Sequence, residues 1–248
     1  MAFFELFLGA LLAFAATTAG AALVLPIKDM KQRLFALLTS FSGGVMAFSA
    51  LEMLLQSHAA AGNMAALAGL ALGLCAFFIL EKTLPHAHAF MRRAPMEAGK
   101  KKAALLAGTI TLHNIPEGFA IASAFAASPP LGWLVAFTIA VQDFPEGLIV
   151  SAPLAAYGIS NRRSFFWGAF SGFVEFLAAI VGFLFLSAVT AATPFALAFS
   201  AGAMAFVTFS ELMPDALRAG DKRQVALIFA FGAVLAYSLS LLLLIPAK

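Results

Sequence analysis

Apolar segments of about 20 residues recur along the whole chain, and they restrict its fold more than any other feature. They fall at residues 3–27, 34–57, 63–81, 103–127, 131–156, 164–190, 194–213 and 224–246. Each approaches or exceeds the length that a helix needs to cross roughly 30 Å of hydrocarbon. Only 11% of the residues are charged, against roughly a quarter in a soluble domain. Since backbone groups in lipid must be satisfied within their own segment, the sequence predicts an all-α membrane protein, a single domain of eight spans over residues 1–248.

Basic residues lie almost entirely on one side of this predicted bundle. Fourteen of the 15 lysines and arginines fall in the loops that follow spans 1, 3, 5 and 7, and only Lys248 lies elsewhere. The positive-inside rule places these loops in the cytosol and both termini outside. We therefore expect a multi-pass protein of the cell inner membrane, surrounded by lipid. The net charge of +3 is explained by topology, and we expect no nucleic-acid partner.

Two of the spans resemble each other. Span 2 contains GGVMAFSALEMLL and span 7 contains AGAMAFVTFSELM. The two spans run in opposite directions across the membrane in the predicted topology. The similarity therefore predicts an inverted repeat, which is a common architecture among transporters.

Four carboxylates interrupt spans 4, 5 and 6, and no lysine or arginine lies in these spans to compensate them. A charged side chain at the bilayer centre costs about 2.5–3.5 kcal/mol on insertion scales, and such residues usually mark an ion pathway. At 1.5 Å per residue, all three spans bring their polar groups to a similar depth near the midplane. A bound divalent cation would neutralise these carboxylates, which are Glu117, Asp143, Glu146 and Glu175.

The motifs HNIPEG in span 4 and QDFPEG in span 5 share one spacing. His113 and Glu117 are four residues apart, as are Gln142 and Glu146, so each pair shares one face of a helix. Each proline removes a backbone donor, and the carbonyl that it frees is tolerated where it lines a polar cavity. The alternative is a pair of proline kinks with polar contacts between helices. The intramembrane carboxylates favour a metal site.

Both motifs resemble the helices that characterise the ZIP family of zinc and iron transporters. The resemblance extends to Glu175 in SGFVE, to Met46 in SGGVM and to SELMPDA in span 7. The Gln-Asp pair of span 5 resembles the corresponding pair in a bacterial subgroup of the family. The resemblance implies a binuclear metal centre, and an elevator-like cycle in which spans 1, 4, 5 and 6 move against spans 2, 3, 7 and 8. The implied ligands are His113, Asn114, Glu117, Gln142, Asp143, Glu146, Glu175 and the Met46 thioether. One departure is Phe176, which follows Glu175 where the family commonly has a proline.

Further candidates lie near the ends of the spans. Glu52 lies near the outer end of span 2, and Glu211 and Asp215 lie near the inner end of span 7. We hypothesise that Glu52 helps the metal enter and that the other two help it leave. His86 and His88 lie in the basic cytosolic segment 82–102. Two histidines at this spacing form a weak metal site, and we predict a minor role in capturing metal.

The sequence thus predicts transport of a divalent transition-metal ion into the cytosol, with Zn²⁺ first. Mixed nitrogen, oxygen and sulfur donors suit Zn²⁺ and Cd²⁺, and Fe²⁺, Mn²⁺, Co²⁺ and Ni²⁺ stay open. One alternative is an intramembrane zinc metalloenzyme, but the HExxH-type pair that it would want is absent from the sequence. Another is a metal-gated channel or sensor with the same ligands. We predict that the protein is not an enzyme, and a homodimer is compatible with the sequence.

Overall fold

The structure is a computed structural model that describes residues 2–26, 30–92 and 98–244, without the side chains of 83–107, 109, 110 and 244. These residues are helical, with no strand among them. The elements are α1 (Ala2–Ala22), α2 (Gln32–Arg92), α3 (Ala98–Ala127), α4 (Pro129–Ala156), α5 (Asn161–Ala188), a 3₁₀ turn (Thr190–Ala192), α6 (Thr193–Val207), a π-helical turn (Thr208–Leu212), α7 (Met213–Ala219) and α8 (Lys222–Leu244).

Six helical segments of this described part are long and apolar enough to cross a membrane, with α2 counted once and α6 and α7 counted together. Large apolar side chains point away from the protein on several of them, such as Leu242, which is 73% exposed, and Val181, which is 66% exposed. Such a surface is stable in lipid and not in water. The prediction of an all-α membrane protein is confirmed.

The longest helix, α2, is interrupted at Gly62, whose φ of 78° and ψ of −178° are not helical. A positive φ of this kind strongly favours glycine. The two arms on either side, 32–61 and 63–92, pack against different helices. Gly44 in the first arm contacts the backbone of Phe229 in α8, and Gly73 in the second contacts the backbone of Phe199 in α6. The interruption coincides with the gap predicted between spans 2 and 3.

Glycines divide the helices into two groups. Gly20 of α1 packs against the carbonyl of Phe144 in α4, and Gly118 of α3 packs against the carbonyl of Glu175 in α5. Gly202 of α6 packs in the same way against α2. A Cβ at any of these positions would overlap the neighbouring backbone. For the described glycines, such contacts stay within α1, α3, α4 and α5, the first bundle, or within α2, α6, α7 and α8, the second bundle.

Several helix ends differ from those that hydropathy predicted. Helix α1 ends at Ala22, before the predicted residue 27, because a turn follows it. Span 7 was expected to end at residue 213, but α7 continues to Ala219. That boundary was wrong because the polar residues of SELMPDA lower the hydropathy without ending the helix. Helix α5 runs unbroken through Phe176. Helices α2 and α3 reach into the segment 82–102, and the side chains of His86 and His88 lie outside the described residues.

Candidate metal centre

Three buried carboxylates form the centre of the site. Glu117 on α3 and Asp143 and Glu146 on α4 each place a carboxylate oxygen within 4.8 Å of the other two. Two oxygens bonded to one zinc ion at about 2.0–2.2 Å lie at most about 4.4 Å apart. Small side-chain movements are therefore enough for these oxygens to share an ion.

A fourth carboxylate reaches the cluster from α5. Glu175 is 1% exposed and lies close enough to Asp143 for the two carboxyl groups to interact. It also interacts electrostatically with Glu117 and Glu146. The structure thus brings together carboxylates from the three helices on which the sequence placed them. We call these four carboxylates the acidic cluster.

Few of the buried polar atoms around the acidic cluster have a partner. Among the described residues, no lysine or arginine bonds to any of the four carboxylates. Buried polar groups in native proteins are nearly always hydrogen-bonded, and burying them without a partner is costly. The atoms without a hydrogen-bond partner are His113 Nδ1, Asn114 Oδ1, Glu117 Oε2, Gln142 Oε1, both oxygens of Asp143, Glu146 Oε1 and both oxygens of Glu175. They are the donor atoms that a divalent cation needs.

Gln142 contacts the acidic cluster directly, whereas His113 bonds to a carboxylate outside it. Gln142 donates from Nε2 to Glu117 Oε1 at 2.6 Å, which leaves its Oε1 as the atom available to a metal. His113 lies with Nε2 2.9 Å from Glu211 Oε1, and its Nδ1 has no partner. His113 therefore connects the first bundle, which carries the acidic cluster, to Glu211 in the second bundle.

Met46 is buried, 1% exposed. It lies one turn after Ser42, whose hydroxyl donates to the backbone carbonyl of Gln142 at 3.1 Å. Residues four apart share a helix face, so Met46 lies on the face of α2 that is turned towards α4. The structure places this thioether beside the helix that carries half of the acidic cluster.

Two residues near the site were missed by sequence reasoning. The Thr17 hydroxyl on α1 donates to the carbonyl of Ala13 at 3.1 Å and lies close to Asp143. Ser42 on α2 contacts α4, as described above. The only signal in the sequence was a pair of threonines, Thr17 and Thr18, in an otherwise apolar span. Hydroxyl residues are common in membrane helices, so this signal was weak.

The gate candidates lie in three different settings. Glu211 belongs to the π-helical turn and contacts His113, whereas Asp215 accepts a hydrogen bond from Arg218 at 3.1 Å in an exposed position. Glu52 accepts a hydrogen bond from Gln56 at 2.9 Å. Gln56 in turn lines a cavity of about 350 Å³ between α2 and the ends of α3, α4 and α6.

The chain is similar in sequence to a known family and to several known proteins. Residues 91–240 match the family described as ZIP zinc transporter. The zinc transporter GufA of Myxococcus xanthus is 39% identical over 176 residues, which cover 70% of this chain and 69% of that protein. The zinc transporter ZupT of Salmonella paratyphi A is 36% identical over 214 residues, covering 82% and 83%. The zinc transporter ZIP11 of Xenopus tropicalis is 39% identical over 168 residues, covering 62% and 50%.

Proposed function

Because the chain belongs to the ZIP zinc transporter family, we propose that it carries Zn²⁺ across a membrane into the cytosol through the acidic cluster. The observation that carries this proposal is the burial of four carboxylates with no basic partner among the described residues. Divalent cations stabilise such a group by charge, and mixed donors suit transition metals. The relatives are named as transporters, and this protein is a transporter rather than an enzyme.

The centre holds two ions, one on each side of the bridging glutamates. Adjacent positions on a helix point about 100° apart. His113 and Gln142, with Met46, therefore form one subsite, and Asn114, Asp143 and Glu175 form the other. Glu117 and Glu146 lie between the two. Two divalent ions would neutralise four carboxylates, whereas one ion would leave a net negative charge in a site of low dielectric constant.

The chain crosses the membrane eight times, with both termini outside. Each arm of α2 forms one crossing, α6 and α7 form another together, and the basic loops face the cytosol. We further propose that the two similar segments, which contain Met46 and Met204, are related as an inverted repeat. Single cysteines at Lys101 and Ser128 should be labelled from opposite sides. The background needs Cys75→Ala, because Cys75 is exposed. Labelling of both from outside would reject the topology.

Transport proceeds by movement of the first bundle against the second. Glycine contacts hold each bundle together internally, and such contacts do not join the two among the described residues. Contacts between the bundles instead involve side chains, such as His113 with Glu211, Ser42 with the backbone carbonyl of Gln142, and the rings of Phe119 and Phe199. These can exchange partners as the bundles slide, whereas interlocked backbones cannot.

The gates are acidic at both ends. On the outer side, Glu52 and the cavity lined by Gln56 collect the ion. On the inner side, Glu211 takes the ion from His113 and passes it to Asp215. The 2.9 Å contact between His113 and Glu211 supports this first transfer. His86 and His88 then capture released metal in the cytosol.

Uptake into proteoliposomes tests the function. Purified protein should take up Zn²⁺ in a saturable manner, and Glu146→Gln should abolish uptake while Glu81→Gln, an exposed carboxylate outside the site, should not. A panel with Cd²⁺, Fe²⁺, Mn²⁺, Co²⁺ and Ni²⁺ would give the metal preference, and an imposed pH gradient would show proton coupling. Metal binding without any uptake would favour the alternative that the protein is a metal sensor. Uptake that does not saturate would favour the alternative that it is a metal-gated channel.

Assembly and location follow from the same proposal. The protein resides in the inner membrane of the cell, and a homodimer is compatible with the lipid-facing surface of α1, α5 and α8. Crosslinking in native membranes tests the dimer. A crosslinked product the size of two chains, at low expression and with no other protein in it, would support the dimer, and its absence would favour a monomer.

A further inference from the structure

An open groove of about 590 Å³ lies on the outside of the first bundle, between α1 and α5. Its walls are Phe14 of α1 and the aromatic residues between Phe165 and Phe173 of α5. Its volume falls within the roughly 300–1,000 Å³ of small-molecule sites. The exposed rings include Phe166 at 57% and Trp167 at 52%. This groove belongs to no part of the metal pathway.

Close packing of α1 against α5 creates the groove. Gly168 contacts Ala21, and Gly172 contacts Thr17. The missing side chains let the two helices approach, so the larger rings on either side stand around a depression. The aromatic wall begins at Phe165 and ends at Phe173, and α5 rises by about 18 Å from its start at Asn161 to Phe173, over 12 steps of 1.5 Å. This length is close to half of a hydrocarbon core of roughly 30 Å.

Two arginines lie at the end of this groove. Arg162 lies four residues before Phe166, and Arg163 lies four residues before Trp167. Each pair therefore shares a face of α5. Both arginines are exposed, and neither has a hydrogen-bond or ion-pair partner in the part of the chain that the structure describes. Helical side chains lean towards the N-terminus of their helix, so these two extend away from the apolar groove.

We propose that the groove binds an anionic phospholipid, with its acyl chain along the aromatic wall and its phosphate on Arg162 and Arg163. The placement of the head group in the cytosolic leaflet rests on the proposed topology. An apolar groove of about one leaflet's depth that ends in two unpaired cations matches the two parts of such a lipid. Each basic residue near a membrane surface contributes about a 5-fold preference for an anionic lipid, so the pair gives roughly 30-fold.

Tryptophan fluorescence tests the proposal. The chain has two tryptophans, and Trp133→Phe leaves Trp167 as the only one. In phosphatidylcholine vesicles, phosphatidylglycerol with brominated acyl chains should quench Trp167 at a mole fraction up to roughly 30-fold lower than brominated phosphatidylcholine does. High salt should narrow this difference because it screens exposed charges. The double variant Arg162→Gln and Arg163→Gln should remove the difference.

Matched controls separate the groove from general attraction to charge. Lys222→Gln with Arg223→Gln removes the same charge at the exposed start of α8, and it should leave the difference unchanged. Trp133 contacts the rings of Phe125 and Phe137, and it should show no head-group preference when Trp167→Phe leaves it as the only tryptophan.

Three results would overturn the proposal: equal quenching of Trp167 by both lipids, equal loss in both double variants, or no quenching by either lipid. The last result would mean that another protein surface, such as a second copy, covers the groove. Quenching is measured without transport, so a chain that fails to carry zinc can still show the lipid preference, and a transporting chain can lack it.

Discussion

Replacing Glu146 with glutamine should have opposite effects on the metal-free and the metal-loaded protein. Glu146 is 4% exposed, its Oε1 has no hydrogen-bond partner, and a carboxylate oxygen of Glu117 and one of Asp143 lie within 4.8 Å. Glutamine keeps the size and shape of the side chain but removes its charge. In the metal-free protein this removes a source of instability, and in the loaded protein it removes a ligand.

The gain in stability of the metal-free protein can be estimated from the distances between the carboxylate oxygens. Two unit charges 4.8 Å apart repel by about 3 kcal/mol at an effective dielectric constant of 20. Proton sharing within the cluster relieves part of this repulsion, and the buried amide still needs partners of its own. We therefore expect a net stabilisation of about 1–3 kcal/mol, comparable to the penalty for one unsatisfied buried polar group. At this chain length, each kcal/mol shifts the melting temperature by about 2–4 °C.

The loaded protein should change in the other direction. Zinc at 100 times its dissociation constant stabilises a folded protein by about 2.7 kcal/mol for each site. Wild-type protein should therefore melt at a higher temperature with zinc than with a chelator. In Glu146→Gln this difference should nearly vanish, because the amide cannot bridge two ions and removes the negative charge that both ions share. Glu81→Gln should behave as wild type, since its side chain is exposed and lies outside the acidic cluster.

Thermal unfolding in detergent, with zinc or with chelator, measures both effects, and elemental analysis of the purified protein counts the ions. A lower melting temperature for metal-free Glu146→Gln than for metal-free wild type would refute the argument that repulsion between the buried carboxylates destabilises the metal-free protein. A single ion in wild type that is still bound after Glu146→Ala would refute the bridged arrangement.

Three further predictions follow from the same structure. Asp143→Asn should lower the bound metal from two ions to one, whereas Glu117→Ala should remove both; equal stoichiometry in the two variants would contradict the proposed subsites. Glu211→Gln should slow zinc uptake several-fold and leave binding at the acidic cluster intact, and unchanged uptake would mean that this acid has no role in release. Gly118→Val should destabilise the first bundle by about 1–3 kcal/mol through overpacking, because its Cβ would overlap backbone. Gly108→Val, with open space at its Cβ, should cause no loss, because valine is a slightly better helix former than glycine; equal loss in both variants would reject the packing argument.

The sequence alone determined the membrane class, the helices and the main polar residues of the site. Hydropathy and helix length are local properties, so uninterrupted apolar segments indicate crossing helices without knowledge of their neighbours. The same holds for HNIPEG and QDFPEG, whose spacing puts two polar side chains on one helix face. A carboxylate in the middle of an apolar span is conspicuous wherever the span packs. These inferences needed no tertiary contact.

Only the tertiary structure decided which groups meet. His113 and Glu211 are 98 positions apart in the chain, and hydropathy placed Glu211 near the membrane surface. The π-helical turn and the continuation of the helix to Ala219 place it instead about 12 Å before the helix end, at 1.5 Å per residue. Thr17 and Ser42 gain their positions beside α4 through close helix packing. Such contacts depend on how the two bundles pack together, and they cannot be predicted from the side-chain pattern along a single helix.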